Sequence, residues 1–307
     1  MSTEYASPRY SGIELWTPAE ILDAMLEGQF AAVAAVRAAR KAVEHAALAI
    51  ETRLRDGGRL IYAGAGTSGR LAIQDGAELL PTFGWPADRL LLLLAGGDAA
   101  MLRAVEGAED NAEGAAALVD RYGLDPRDVL VAVAASGTTP FTVGALREAR
   151  GRGALTVGIA NNRDTPLLIE AEHPIWLDTG AEPIAGSTRM KAGTAQRVVL
   201  TLLSSLVMIR LGFVYRGLMV EMRPANRKLA RRSEDILMHL TGGGRDEARA
   251  ALDRAGGNLK VAILLLEGCA PAEAAALLKR SGGRLPAAKD LLATRPTATK
   301  PADRSSS

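Results

Sequence analysis

The chain has 307 residues, 48% hydrophobic and 23% charged, an ordinary globular composition that fits one large domain or a large one with a small companion and excludes a disordered or fibrous chain. Its 37 Lys and Arg against 35 Asp and Glu leave a net charge of +2, too little for a nucleic-acid footprint. A single cysteine, Cys269, excludes an intrachain disulfide framework, and three histidines without ligand spacing give no reason to expect a metal, so a cytoplasmic protein is expected.

The opening MSTEYASPRYSGIELW has no basic start followed by an apolar run and does not read as a secretory signal. Residues 18–55 are rich in Ala, Leu and Glu at helical spacing, with Gly57-Gly58 as a stop, and predict one long helix inside an N-terminal helical segment, 1–56. Short apolar runs then alternate with helical stretches: Arg59 to Ala63, Leu90 to Ala95, Asp128 to Ala134, Leu155 to Ala160, and Ile175 to Asp178 read as strands. Such alternation implies an α/β domain, 57–240, with a parallel sheet covered on both faces. The most apolar stretch, Val198 to Tyr215, is interrupted by Thr201, Ser204, Ser205 and Arg210 and reads as a buried helix, not a membrane span. From about Gly242 the texture becomes helical runs separated by glycine turns, predicting a three-helix bundle over 241–293 and a disordered tail, 294–307. Lys260, on an apolar helix there, is expected to snorkel to the surface.

The turns after the strands carry the chemistry. Gly64-Ala-Gly66-Thr-Ser-Gly69 matches the G-x-G-x-x-G pattern between strand and helix, which suggests a dinucleotide. The acidic partner expected about 20 residues on is missing, however, since Asp98 lies further away. Hydroxyl-rich turns recur instead: Thr67-Ser68, Ser136-Gly137-Thr138-Thr139, and Ser187-Thr188. Several of these at one sheet edge suit a small anion, because helix N-termini offer unpaired N–H groups and a partial positive charge and hydroxyls add donors. No Walker lysine follows, which disfavours a nucleoside triphosphate. For any one loop, the competing reading is a Ser or Thr that only caps its helix.

Taken in order, IYAGAGTSGRLAIQDGAELLPTFG (61–84), AVEGAEDNAEG (104–114), AASGTTPF (134–141), AGSTRMKAGTAQRVVL (185–200) and ANRKL (225–229) resemble the N-acetylmuramic acid 6-phosphate etherases. Those bacterial enzymes are built on the sugar-isomerase (SIS) phosphosugar-binding fold with a helical C-terminus. Departures fall at Ala77-Glu78-Leu79-Leu80-Pro81, where the family has a Ser-Glu-Cys-Pro-Pro run, and around Glu27 to Ala35.

The resemblance implies a lyase of amino-sugar metabolism, acting in peptidoglycan recycling, that cleaves the lactyl ether of the phosphorylated sugar to N-acetylglucosamine 6-phosphate and D-lactate. It needs no cofactor. In the open-chain sugar a carboxylate removes the C2 proton, an acid protonates the departing C3 ether oxygen, and water adds to the double bond. By the resemblance the two groups are Glu109 as base and Glu78 as acid. Glu78 is expected near the end of a helix stopped by Pro81, where the helix dipole favours its protonated form. Thr67, Ser68, Ser136, Gly137, Thr139 and Ser187 are the expected substrate contacts, and Arg189 and Lys191 are candidates for extra positive charge. The substrate is then a small phosphosugar, with no nucleic acid or membrane partner. Ser68 and Glu78 lie ten residues apart on one apparent helix, about 15 Å, longer than a hexose 6-phosphate. Either Asp75-Gly76 breaks the helix and folds Glu78 back, or a homodimer shares its sites; the dimer is the favoured expectation, because a helical Gly costs only about 1 kcal/mol and need not break the helix. Two alternatives remain open: an aldose–ketose phosphosugar isomerase, and a non-catalytic phosphosugar sensor.

Overall fold

The predicted single helix is two. In the computed structural model, which describes residues 2–221 and 227–294, α1 spans Pro18–Ala38 and α2 spans Arg40–Arg55. Thr17 starts α1 with a capping box, its hydroxyl accepting from the Glu20 N–H while the Glu20 carboxylate accepts from the Thr17 N–H at 2.8 Å. The break at Ala39 (φ −78°, ψ 1°) involves neither Gly nor Pro. It lets α2 turn Val43, Ala46, Ala47, Ile50 and Leu54 inward along its length.

The chain then runs β1 (Leu60–Gly64), α3 (Gly66–Phe83), β2 (Leu90–Leu94), α4 (Ala112–Arg121), β3 (Val129–Val133), α5 (Pro140–Gly151), β4 (Leu155–Ala160), α6 (Pro166–Glu170), β5 (His173–Trp176) and α7 (Lys191–Leu211). The five strands are all parallel, in the order β2-β1-β3-β4-β5. The last strand begins earlier than predicted, at His173. Ile61, Ala63, Leu130 and Ala132 form one core with α4, α5 and α6, and α2 packs on the same sheet. Burial on both faces explains why β1, β3 and β4 read as continuous apolar runs. α7 is long and apolar enough to cross a membrane by composition, yet 56% of its most apolar window is buried. Its Ala192, Ala195, Val199, Leu203 and Val207 all point inward.

The chain forms two compact units, Met1–Arg210 and Leu211–Ser307, so the division falls at the end of α7 and before the expected boundary at 240. The second unit holds a two-stranded antiparallel ribbon, β6 (Val214–Tyr215) with β7 (Leu218–Met219), followed by α8 (Arg227–Thr241), α9 (Arg245–Arg254), α10 (Leu259–Leu266), α11 (Pro271–Arg280) and α12 (Leu285–Ala293). Where three helices were expected over 241–293 there are four, because Gly282-Gly283 joins two helices instead of ending the bundle. Lys260 does not snorkel: it is 3% exposed, donates to the Gly283 carbonyl at 2.7 Å and pairs with Glu221. The tail predicted to be disordered lies, beyond Thr294, outside the described residues.

Candidate active site

The strand order reverses at β1, which has β2 on one side and β3 on the other. In open α/β sheets ligands bind outside the carboxyl ends of the strands at such a switch point. The β1–α3 and β3–α5 turns meet there. Gly64 and Gly69 fix the first turn: a Cβ on Gly69 would lie 2.7 Å from the Gly64 carbonyl carbon, and one on Gly64 2.8 Å from the Gly69 Cα. Two glycines thus seat the first turn of α3 directly on the strand end, so the fingerprint is a packing device here. Ser68 is buried, and its Oγ accepts the Ala135 N–H at 3.3 Å, tying the two turns together.

In the β3–α5 turn Gly137 has φ 72°, and a Cβ there would meet the Thr165 Oγ1 at 2.1 Å. The Ser136 and Thr139 hydroxyls are 3.2 Å apart, and Ser136 Oγ accepts the Thr138 N–H at 3.2 Å. Neither α3 nor α5 has a side-chain cap bond at its N-terminus. The hydroxyls are therefore not consumed as caps, and the first-turn N–H groups of the two helices, apart from Pro140, which has none, lack an intrahelical acceptor.

A third loop, ahead of α7, completes the enclosure. The Gly186 N–H donates to the Thr3 carbonyl at 3.0 Å, and the buried Glu182 carboxylate accepts the Lys191 and Ala192 N–H groups at 2.9 Å each. Glu182 thus starts α7 and sets the loop. The result is a cleft of about 410 Å³ lined by Thr67, Ser68, Ser136, Thr139, Thr188 and Glu109, among others. Of the expected contacts, Gly137 and Ser187 shape their loops without lining the cleft. Arg189 and Lys191 do not line it either; the Lys191 stem packs on Gly28 of α1, and desolvation lowers its ammonium pKa.

Glu109 sits on a short 3-10 turn, Ala108–Asp110, entered through Gly107 at φ 68°. Asn111 then caps α4, its Oδ1 accepting the Gly114 N–H at 2.7 Å. The exposed Glu109 lines this cleft and also an adjoining cavity of about 450 Å³. One lining residue gave no signal in the sequence. Glu4 reaches the cleft because Thr3, fully buried, is clamped to Asn162, whose Oδ1 accepts the Thr3 N–H at 3.2 Å and whose Nδ2 donates to Thr3 Oγ1 at 2.8 Å and the Ala135 carbonyl at 3.0 Å.

Glu78 is not in this cleft. Pro81 does not stop α3 after it; the helix runs unbroken through Asp75-Gly76 and Pro81 to Phe83 and ends on Gly84 at φ 74°, whose N–H reaches the Leu80 carbonyl at 2.9 Å. Pro81 has no N–H to give the Ala77 carbonyl, yet the helix continues past it for two residues. Asp75, one turn before Glu78, is buried and accepts from the Tyr62 hydroxyl at 2.9 Å, Arg197 Nη1 at 3.3 Å and Thr201 Oγ1 at 3.4 Å. Burial and the neighbouring Asp75 push the Tyr62 hydroxyl well above its ordinary pKa. Glu78 itself lies on an exposed strip with Ala77, Leu80 and Pro81, about 15 Å along the helix from Ser68. Among the described residues no group of three or more His, Cys, Asp or Glu side chains is placed to hold a metal ion.

Comparison with known proteins adds the following. The family model described as the glucokinase regulatory protein N-terminal SIS domain matches residues 42–150, and the SIS domain model matches residues 104–206. An N-acetylmuramic acid 6-phosphate etherase of Deinococcus radiodurans is 48% identical over 86% of this chain and 87% of its own. One of Rubrobacter xylanophilus is 46% identical over 88% of this chain and 90% of its own. Among solved structures, a phosphoheptose isomerase from Francisella tularensis is similar over 63% of this chain and 100% of its own, with 21% identity and a TM-score of 0.49.

Proposed function

The chain belongs to the N-acetylmuramic acid 6-phosphate etherase family, and on that premise we propose that its cleft binds a 6-phosphosugar and cleaves the lactyl ether to give N-acetylglucosamine 6-phosphate and D-lactate. The observation that carries this is the meeting of three hydroxyl-bearing loops at the switch point with a carboxylate, Glu109, at their rim. The phosphate is held by Ser68, Ser136 and Thr139, with Thr67 and Thr188 beside them and the free first-turn N–H groups of α3 and α5 supplying charge-complementary donors.

Glu109 then takes the C2 proton of the open-chain sugar. The electron pair forms a C2–C3 double bond as the C3–O bond breaks, and the departing lactyl oxygen takes a proton from the Glu78 carboxyl. Water then gives its proton to the Glu78 carboxylate and its hydroxyl to C3 as Glu109 returns a proton to C2, which restores both carboxyl groups. Nothing in these steps calls for a metal or a redox cofactor. A carboxyl group serves as acid or base according to its protonation state.

Glu78 enters this site from a second copy of the chain. Two features support the homodimer: the unbroken α3, which keeps Glu78 from the cleft of its own chain, and an apolar outer face. Leu22, Leu26, Phe30 and Val33 of α1 form an exposed stripe at helical spacing, and Leu202 and Ile209 of α7 are each half exposed. An apolar groove of about 610 Å³ runs among Val33, Val36, Val43, Leu48, Val198 and Leu202. Contiguous apolar surface of this kind is rare on monomers. The one cysteine, buried Cys269, agrees with a reducing cytoplasm.

The test is incubation with N-acetylmuramic acid 6-phosphate and assay of D-lactate. An isomerase or a sensor releases none, and absence of lactate overturns the proposal.

A further inference from the structure

The cleft and the cavity beside it share Ala65, Gly66, Thr67 and Glu109. Glu109 therefore stands between two chambers. One is lined by the hydroxyl loops; the other holds Arg70, and among the described residues lining the two chambers Arg70 is the one cation. We propose that this second cavity is the subsite for the lactyl group and that Arg70 pairs with its carboxylate.

The inference rests on the etherase reading, which supplies a substrate with two anionic ends. Its phosphate is on C6, its lactyl ether is on C3, and the proton to be removed is on C2, next to C3. A base that reaches C2 must have the phosphate on one side and the lactyl group close on the other. Glu109, with a chamber on each side, meets that requirement. The phosphate chamber offers neutral donors only, whereas a carboxylate is matched by a guanidinium, whose planar fork suits two oxygens.

Arg70 is on the second turn of α3 and is half buried. Its Nε donates to the Ala100 carbonyl at 2.7 Å and its Nη2 to the Arg103 carbonyl at 3.3 Å. Those bonds orient the group, and Nη1 has no protein partner among the described residues. Glu106 lines the same chamber and opposes an anion there. The two side chains thus make predictions of opposite sign.

The experiment measures KM and kcat for lactate release, and the inhibition constant of N-acetylglucosamine 6-phosphate, in wild type, Arg70→Gln, Arg70→Lys and Glu106→Gln. The product keeps the phosphate and lacks the lactyl carboxylate. Arg70→Gln should raise KM about ten- to a hundredfold, the loss of one charge-assisted contact, while changing the product constant by less than about threefold. Arg70→Lys should restore part of the loss, and Glu106→Gln should lower KM without tightening product binding. Equal changes in substrate and product for the Arg70 variants would make the residue a loop anchor only and overturn the assignment. If Arg70→Gln fails to fold, Arg70→Lys and Glu106→Gln still decide: no substrate-selective effect from either refutes it. Wild type that releases no lactate refutes the etherase reading itself, a separate outcome.

Discussion

A Ser68→Ala Ser136→Ala chain and a Glu78→Gln chain, each impaired alone, should restore lactate release when their subunits exchange. The reasoning starts from α3, which is continuous from Gly66 to Phe83 and separates Ser68 from Glu78 by about 15 Å. If Glu78 serves the cleft of the other copy, a heterodimer holds one site with both lesions and one with neither. Random mixing makes half of the dimers mixed, so about a quarter of all sites are intact in a two-fold dimer. The background is low: each lost hydrogen bond to a charged phosphate is worth about 1.5–3 kcal/mol, so the double variant loses several kcal/mol of binding at substrate well below KM. Because Ser68 Oγ also accepts the Ala135 N–H, a melting curve must show that the double variant folds. The assay is D-lactate against time after exchange in mild denaturant, with mixed dimers confirmed by mass. No recovery in a sample containing mixed dimers would place Glu78 and the phosphate loops in the same chain.

Ser68→Ala or Ser136→Ala alone should raise KM about tenfold or more with a smaller effect on kcat, and the unphosphorylated sugar should compete weakly; equal competition would remove the phosphate from the cleft. Glu109→Gln should abolish exchange of the C2 proton with solvent deuterium, whereas Glu78→Gln should keep exchange and lose lactate; identical exchange in the two would refute the division of roles. Glu51 loses solvation on burial, but hydrogen bonds from Arg210 at 2.7 Å and Arg55 at 2.6 Å outweigh this and lower its pKa below 4.5. A lowered pKa adds stability above pH 4.5 that disappears as pH falls through the folded value, so Glu51→Gln should cost about 1 kcal/mol at pH 7 and progressively less as pH falls below 4.5 in denaturant titrations. A penalty that does not shrink anywhere down the acid limb would show that packing, not charge, is responsible.

The sheet was legible because burial on both faces makes its strands apolar without interruption, and glycine-rich turns mark where each ends. The hydroxyl turns were legible for the same reason, since a turn after a parallel strand must reach the carboxyl edge. The break at Ala39 carries no residue signal, because α2 turns onto the sheet by tertiary packing alone. Pro81 misleads because a proline removes one i→i−4 hydrogen bond without having to end the helix, and the αL glycine that ends this one is Gly84. Glu4 was invisible: its place in the cleft comes from the clamp between Thr3 and Asn162, a contact across most of the domain. Lys260 shows the limit of side-chain rules, since a lysine reads as surface until Glu221 and a free carbonyl meet it inside.

The proposed dimer interface would account both for the apolar outer face and for the distance of Glu78 from the cleft of its own chain. Asp75 binds Thr201 of α7, so the exposed strip Ala77, Glu78, Leu80 one turn further along α3 is tied to the helix that carries exposed Leu202 and Ile209. Burying Phe30 and Leu202 side chains is worth about 1.5–3 kcal/mol each, and placing a carboxylate there costs more than that gain. Phe30→Asp Leu202→Asp protein should therefore be monomeric by sedimentation. It should keep the phosphate loops and Glu109, which belong to one chain, and lose the acid that comes from the other. The expected signature is C2 proton exchange without D-lactate, the same phenotype as Glu78→Gln reached from a surface that never touches substrate. A folded monomer that releases lactate at the wild-type rate would show that one chain holds the whole site, and the apolar face would then need another explanation.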